Sequence, residues 1–203
     1  MYSKCWIIFW VYSDTLIEKG VYVGLNYYYN LKIGRKAMKK FVEKVMDLCK
    51  NHKRVAMYVD MDGTIVEYPV YDSSEVAKKM ETEYDKTEPL NPVIEALRQI
   101  AQCCDIDIYI LSLSATKKLT AKKQEWLRRY APFIKEENWI ILTKEAGDYS
   151  PENRLGIKCQ KIQERADLYE LSIFLDDEHA ILKETQKKLG EKVKVFHVSS
   201  VLV

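Results

Sequence analysis

The chain has 203 residues, 47% hydrophobic and 31% charged, which is enough for one α/β domain with a modest insertion and short for two full domains. Its net charge of +2 gives no reason to expect nucleic acid or another polyanion as partner. Five cysteines, Cys5, Cys49, Cys103, Cys104 and Cys159, are odd in number and lack C-x-x-C spacing, which argues against a disulfide framework or a zinc site and for a reducing cytoplasm.

No apolar run reaches the length of a membrane span. The apolar stretch at 5–12 is eight residues long with no small-residue cleavage site after it, so neither a signal peptide nor a membrane partner is expected. Residues 1–34 read as an N-terminal extension of uncertain structure. Within it, 21–29 is rich in aromatic and β-branched residues and allows a strand or hairpin. Tyr27, Tyr28 and Tyr29 near Lys32 and Arg35 have the make-up of a base-stacking platform. An auxiliary strand, or a segment outside the working protein, is the simpler reading, and Met38 is an alternative start. From 35 to 51, Ala37, Phe41, Val45 and Leu48 recur at helical spacing and predict an amphipathic helix packed on a sheet. The main domain is read as 35–203.

The chemistry begins at Val55-Ala56-Met57-Tyr58-Val59-Asp60-Met61-Asp62-Gly63-Thr64. An apolar run ends in two carboxylates, a glycine and a hydroxyl, the pattern of a buried parallel strand presenting acids at its carboxyl edge. Like charges this close call for a cation or a shared proton. The Asp-Met-Asp-Gly-Thr stretch resembles the first motif of the haloacid dehalogenase-like (HAD) hydrolases, a superfamily made up mostly of phosphatases. The resemblance implies Asp60 as nucleophile, Asp62 as general acid/base and Thr64 as a substrate-binding hydroxyl.

Residues 67–89 are polar and charged, with a helical stretch at about 74–84. They lie where one class of HAD proteins carries a cap, here a small helical one. Lys78, Lys79 and Tyr84 are its candidates for substrate contact. Asn91-Pro92 reads as a helix N-cap followed by proline at the first helical position. That helix runs through Ile94, Leu97 and Ile100 to the Cys103-Cys104 pair, taken as core packing.

The next strand, 106–111, ends in Ser112-Leu113-Ser114-Ala115-Thr116. The HAD pattern asks for a Ser or Thr here to donate to the transferring phosphoryl group; Ser112 fits best, with Ser114 as a neighbour that binds substrate. A basic helix at 118–130 has Trp126 and Leu127 on its apolar side, its lysines and arginines reading as a solvated face. A third strand at 139–142 precedes a long loop at 144–156. The helix at 157–168 brings Lys158 and Lys161. HAD enzymes place a lysine here against the nucleophile and phosphate, and Lys158, nearer the sheet edge, is preferred.

Ser172-Ile173-Phe174-Leu175-Asp176-Asp177 repeats the design of a buried strand ending in acids. It resembles the metal-binding HAD motif and implies Mg2+ held by Asp60, Asp176, the backbone carbonyl of Asp62, and waters. Asp177 would ligate directly or through water, or orient Lys158. His179 reads as a neighbour, since magnesium favours oxygen over imidazole. A helix at 180–189 and a strand at 193–198 complete the chain.

The expected fold is therefore α/β, a Rossmann-like parallel sheet flanked by helices with a small cap. The expected activity is magnesium-dependent hydrolysis of a small phosphomonoester through an aspartyl-phosphate. The run Trp126-Leu127, then Pro132-Phe133-Ile134, together with the short cap and late lysine, is similar to the 5′-nucleotidase-type branch. The alternatives are a catalytically idle HAD-like regulatory module and a nucleic-acid-end phosphatase.

Overall fold

A computed structural model describes residues 21–67 and 82–202, with side chains from residue 36 onward. Helix α1 (Val21–Asn51) leads into strand β1 (Val55–Val59). After the insertion come α2 (Asn91–Cys103), β2 (Ile106–Ser114), α3 (Lys117–Tyr130) and β3 (Trp139–Thr143). The chain then runs through α4 (Arg154–Gln163), β4 (Leu171–Asp176), α5 (His179–Leu189), β5 (Val193–His197) and the short α6 (Ser199–Leu202).

The strands form one sheet in the order β3-β2-β1-β4-β5, and every pairing is parallel. This is the doubly wound α/β arrangement expected from the alternation of apolar runs and helical patterns. Strand β1 sits at the centre, with all five residues buried. Side chains alternate across it. Val55, Met57 and Val59 join Phe41, Val42 and Val45 of α1, Leu97 and Ile100 of α2, and Trp126 and Leu127 of α3. Ala56 and Tyr58 face the opposite way, with Phe174, Ile162 of α4, and Ile181 and Leu182 of α5. Covering both faces explains why β1 and β4 are apolar throughout.

The stretch 21–29 is helical, not a strand or hairpin, and is continuous with 35–51, so the expected boundary at residue 34 falls inside α1. Aromatic and β-branched residues disfavour a helix by only a few tenths of a kcal/mol each (~0.5), and no proline interrupts 21–51. The helix ends where Asn51 Nδ2 donates to the Asp47 carbonyl (2.8 Å) and His52 Nδ1 to that of Leu48 (2.9 Å), satisfying acceptors the helix leaves open. Asn91 is the first residue of α2, with Leu90 at the cap. Cys104 packs against the core, whereas Cys103 is exposed. Among the described residues, no helix is long and apolar enough to cross a membrane.

The insertion is pinned at its base. Val66 pairs with Pro89, Glu67 N donates to the Glu88 carbonyl (3.0 Å), and Leu90 N to that of Ile65 (2.8 Å). Most of the helical stretch expected at 74–84, with Lys78 and Lys79, lies outside the described residues. Its returning limb, ending in a 3-10 turn at Tyr84–Lys86, lies against α3.

Candidate active site

The strand order reverses direction between β1 and β4: from β1 the chain moves outward through β2 and β3, then crosses back to β4. Ligand sites of open α/β sheets form at that switch point, beyond the carboxyl ends of the strands. Here the register Val59↔Leu175 sets Asp60 beside Asp176. The Asp60 amide donates to the Leu175 carbonyl (3.0 Å), and the Asp176 carbonyl accepts from Val198 N (3.1 Å), so the sheet ladder itself fixes both acids.

Between them stands Lys158. Its Nζ is 2.8 Å from Asp60 Oδ1 and 2.7 Å from Asp176 Oδ2, and the residue is only 2% exposed. Burial works against its charge, but Asp60 and Asp176 outweigh that and hold its pKa above the usual lysine value. Lys161 instead pairs with Glu164 on the outer side of α4 (2.9 Å). Helix α4 begins at Arg154, three residues earlier than expected, which places Lys158 in its second turn, under the strand tips.

Asp177 completes an acid cluster: carboxylate oxygens of Asp60, Asp176 and Asp177 lie within 4.8 Å of one another. Burial, then the Asp60 charge, pushes the Asp177 carboxyl up to about 6. The same two causes raise Asp176, with Lys158 pulling the other way. Three carboxylates against one ammonium leave surplus negative charge in a partly desolvated cleft. Hard oxygen donors in such a group fit a magnesium ion.

Thr64 is buried, and its hydroxyl donates to Asp177 Oδ1 across 3.4 Å, a long contact that ties the turn after β1 to the turn after β4. Gly63 makes that first turn possible with φ of 74°, while the Met61 carbonyl accepts from the amides of Thr64, Ile65 and Val66. The Asp177 backbone is held by His197, whose Nε2 donates to its carbonyl (2.9 Å). His197 Nδ1 in turn accepts from the Ser199 amide (3.2 Å), which orients the ring. His179 stays out of the acid cluster and stacks on His197, with centroids 4.2 Å apart.

The carboxylate of Asp62 turns away from the other acids. Its Oδ1 accepts from the Tyr84 hydroxyl (2.8 Å) and its Oδ2 from Lys123 Nζ (2.5 Å). Lys123 also donates to Ser112 Oγ (3.0 Å) and to the Leu113 carbonyl (2.7 Å). Ser112 is buried inside β2, which runs on to Ser114 instead of ending before Ser112. Ser114 is also buried, and its hydroxyl donates to the Thr116 carbonyl (3.0 Å).

The reading of α3 as a basic solvated face needs correction at Lys123, which is fully buried. It shares an inward stripe with Leu119, Trp126 and Leu127, at positions i, i+4, i+7 and i+8. A lysine on the apolar face of a helix was the signal that could have found it. Two further residues stand at the mouth: Arg154 makes a forked ion pair with Glu178, and the Tyr149 hydroxyl donates to the Ser114 carbonyl (3.2 Å).

Two solved structures are similar to the chain. One is the HAD domain of effector protein Lem4 from Legionella pneumophila, at 18% identity and a TM-score of 0.44, covering 71% of this chain and 86% of that one. The other is described as a haloacid dehalogenase-like hydrolase from Burkholderia xenovorans LB400, at 13% identity and a TM-score of 0.37, covering 70% and 80%. No protein-family model matches the chain, and no curated protein is a significant match.

Proposed function

We propose that the protein is a magnesium-dependent phosphomonoester hydrolase acting on a small phosphorylated substrate. The observation that carries this reading is the trio Asp60, Lys158 and Asp176: a carboxylate fixed at a strand tip, an ammonium 2.8 Å from it, and a second acid on the neighbouring strand.

Asp60 is the nucleophile: one carboxylate oxygen pairs with Lys158, and the other forms the bond to phosphorus as the P–O bond to the leaving group breaks, giving an aspartyl-phosphate. Asp62 gives its proton to the departing oxygen. In the second step Asp62 takes a proton from water, whose oxygen attacks phosphorus and releases phosphate and the Asp60 carboxylate. Ser112 donates to a phosphoryl oxygen, and Lys158 places positive charge beside the nucleophile and the transferring group. Asp60, Asp176 and Asp177, with the Asp62 backbone carbonyl, would hold magnesium. When bound, the ion supplies charge neutralisation at the phosphoryl oxygens.

The test is release of inorganic phosphate from a panel of nucleotides, sugar phosphates, phospho-amino acids and an aryl phosphate, with and without magnesium, for the wild type and Asp60→Asn. Magnesium-dependent turnover lost in Asp60→Asn is the expected result. No turnover on any member of the panel would leave the idle regulatory module as the better reading. A panel profile favouring nucleoside monophosphates would bring back the 5′-nucleotidase-type branch.

A further inference from the structure

We infer that Tyr84, carried by the insertion, is a positioning residue for Asp62: its hydroxyl holds that side chain in place from the side opposite Lys123. The inference rests on the hydrolase reading above and adds to it a residue from outside the strand-tip motifs.

Asp62 follows the end of β1 and sits at the start of a tight turn, so its side chain has no strand neighbour to fix it. Two donors do so instead, from positions 22 and 61 residues further along the chain. Lys123 grips one carboxylate oxygen and the Tyr84 hydroxyl the other, so the orientation of the Asp62 side chain is fixed from both sides. The hydroxyl does so as a neutral donor, without adding a second charge to the pair.

Tyr84 is itself held firmly. It is fully buried, and the Lys123 ammonium lies 5.6 Å from its ring centroid. The segment around it is braced to α3 at both ends. Lys122 Nζ donates to the Thr82 carbonyl (2.9 Å) and to Asp85 Oδ1 (2.7 Å). Trp126 Nε1 donates to the Thr87 carbonyl (3.0 Å). One helix thus supplies Lys123 to Asp62 directly and, through Lys122 and Trp126, seats the insertion residue that grips its other oxygen. The seating of residues 82–87 and the placement of the Asp62 side chain are one structural feature.

A group that positions the acid matters in proportion to how much the leaving group needs a proton. The experiment compares kcat/KM of the wild type, Tyr84→Phe and Asp62→Asn on p-nitrophenyl phosphate, whose leaving group departs as a stable anion, and on benzyl phosphate, whose alkoxide does not. The ratio kcat/KM reports the steps up to alcohol release, before the shared aspartyl-phosphate is hydrolysed. Tyr84→Phe is expected to lose about tenfold more on benzyl phosphate than on the aryl ester, a fraction of the 10²–10⁴ that general acid catalysis contributes. Lys122→Met, on the surface side of the brace, is expected to show the same bias more weakly and carries the test should Tyr84→Phe fail to fold. An equal loss on both substrates, or none, would overturn the positioning role while leaving the hydrolase intact. A wild type inactive on both esters would overturn the hydrolase reading, and this inference with it.

Discussion

Replacing Lys158 by Met removes the ammonium that Asp60 and Asp176 share, in the acid cluster that Asp177 completes. Methionine keeps most of the volume, so the loss is electrostatic. Removing one partner of a buried ion pair costs about 3–5 kcal/mol, because the other is left charged and unpaired. Here two carboxylates lose the same ammonium, which places the expected cost toward the upper end. For a chain of this size each kcal/mol moves the melting temperature by roughly 2–4 °C, so the metal-free variant should melt about 6–20 °C lower. The penalty should shrink below pH 6, where Asp177, pushed up to about 6, takes up a proton and relieves part of the repulsion. It should also shrink in magnesium, since an ion that binds only the folded state adds about 2.7 kcal/mol at a hundred times its dissociation constant. Activity should not return with stability: losing a charge aimed at the transferring group costs about 10²–10³ in kcat. The assay is thermal melting at pH 5.5 and 8 with and without millimolar magnesium, beside phosphate release. An unchanged melting temperature at pH 8 without metal would refute the idea that Lys158 neutralises buried acids.

Asp60→Asn should abolish hydrolysis while the melting temperature holds or rises, since it removes the nucleophile and one of three repelling charges; residual turnover above about 1% of wild type would contradict the nucleophile assignment. Asp176→Asn should reduce the magnesium-induced rise in melting temperature, and an equal rise would mean that Asp176 is not a ligand. Asp177 sets a pH dependence of the metal-free protein. With a folded pKa raised from 3.8 to about 6, the native state keeps a proton that the unfolded chain has lost, so the group's stabilising share is full below pH 3.8 and is lost as pH rises through 6. Magnesium must displace that proton, so the magnesium-induced shift should be larger at pH 8 than at pH 5.5, and a shift that falls with pH would count against the cluster. Lys123→Met should destabilise the protein by about 3–5 kcal/mol in denaturant titration, because it leaves Asp62, Ser112 and the Leu113 carbonyl without their common donor.

The strands were legible because a strand buried on both faces must be apolar along its length, and β1 and β4 are. The acids at their tips were legible because such a run has no packing reason to end in paired carboxylates. Their adjacency was expected from the family resemblance alone: Asp60 and Asp176 are brought together by the crossover from β3 to β4, a fact of topology no local pattern contains. Two local readings went astray for a shared reason. The stretch 21–29 looked strand-like by composition, yet continues a helix whose downstream half is anchored by Phe41, Val42 and Val45. In α3, six basic residues among fourteen suggested a solvated face. Composition averages over a helix, whereas the buried lysine sits at one position of one stripe. Tyr84 was one of three candidates for substrate contact, with Lys78 and Lys79, and its hydroxyl is on Asp62.

The buried lysines divide the site's electrostatics in two. Lys158 serves the acids at the strand tips, where surplus negative charge remains for a cation to balance. Among the described acids Lys123 pairs with Asp62, and it also donates to neutral oxygens of Ser112 and Leu113. In the hydrolase proposed above Asp60 and Asp62 have different tasks, and the fold supplies each from a different side. Lys158 reaches Asp60 from α4 and shares it with Asp176, whereas Lys123 reaches Asp62 from α3 and is joined there by the Tyr84 hydroxyl of the insertion. Two acids two residues apart are thereby held by separate partners, so a change at one lysine should leave the geometry of the other acid in place.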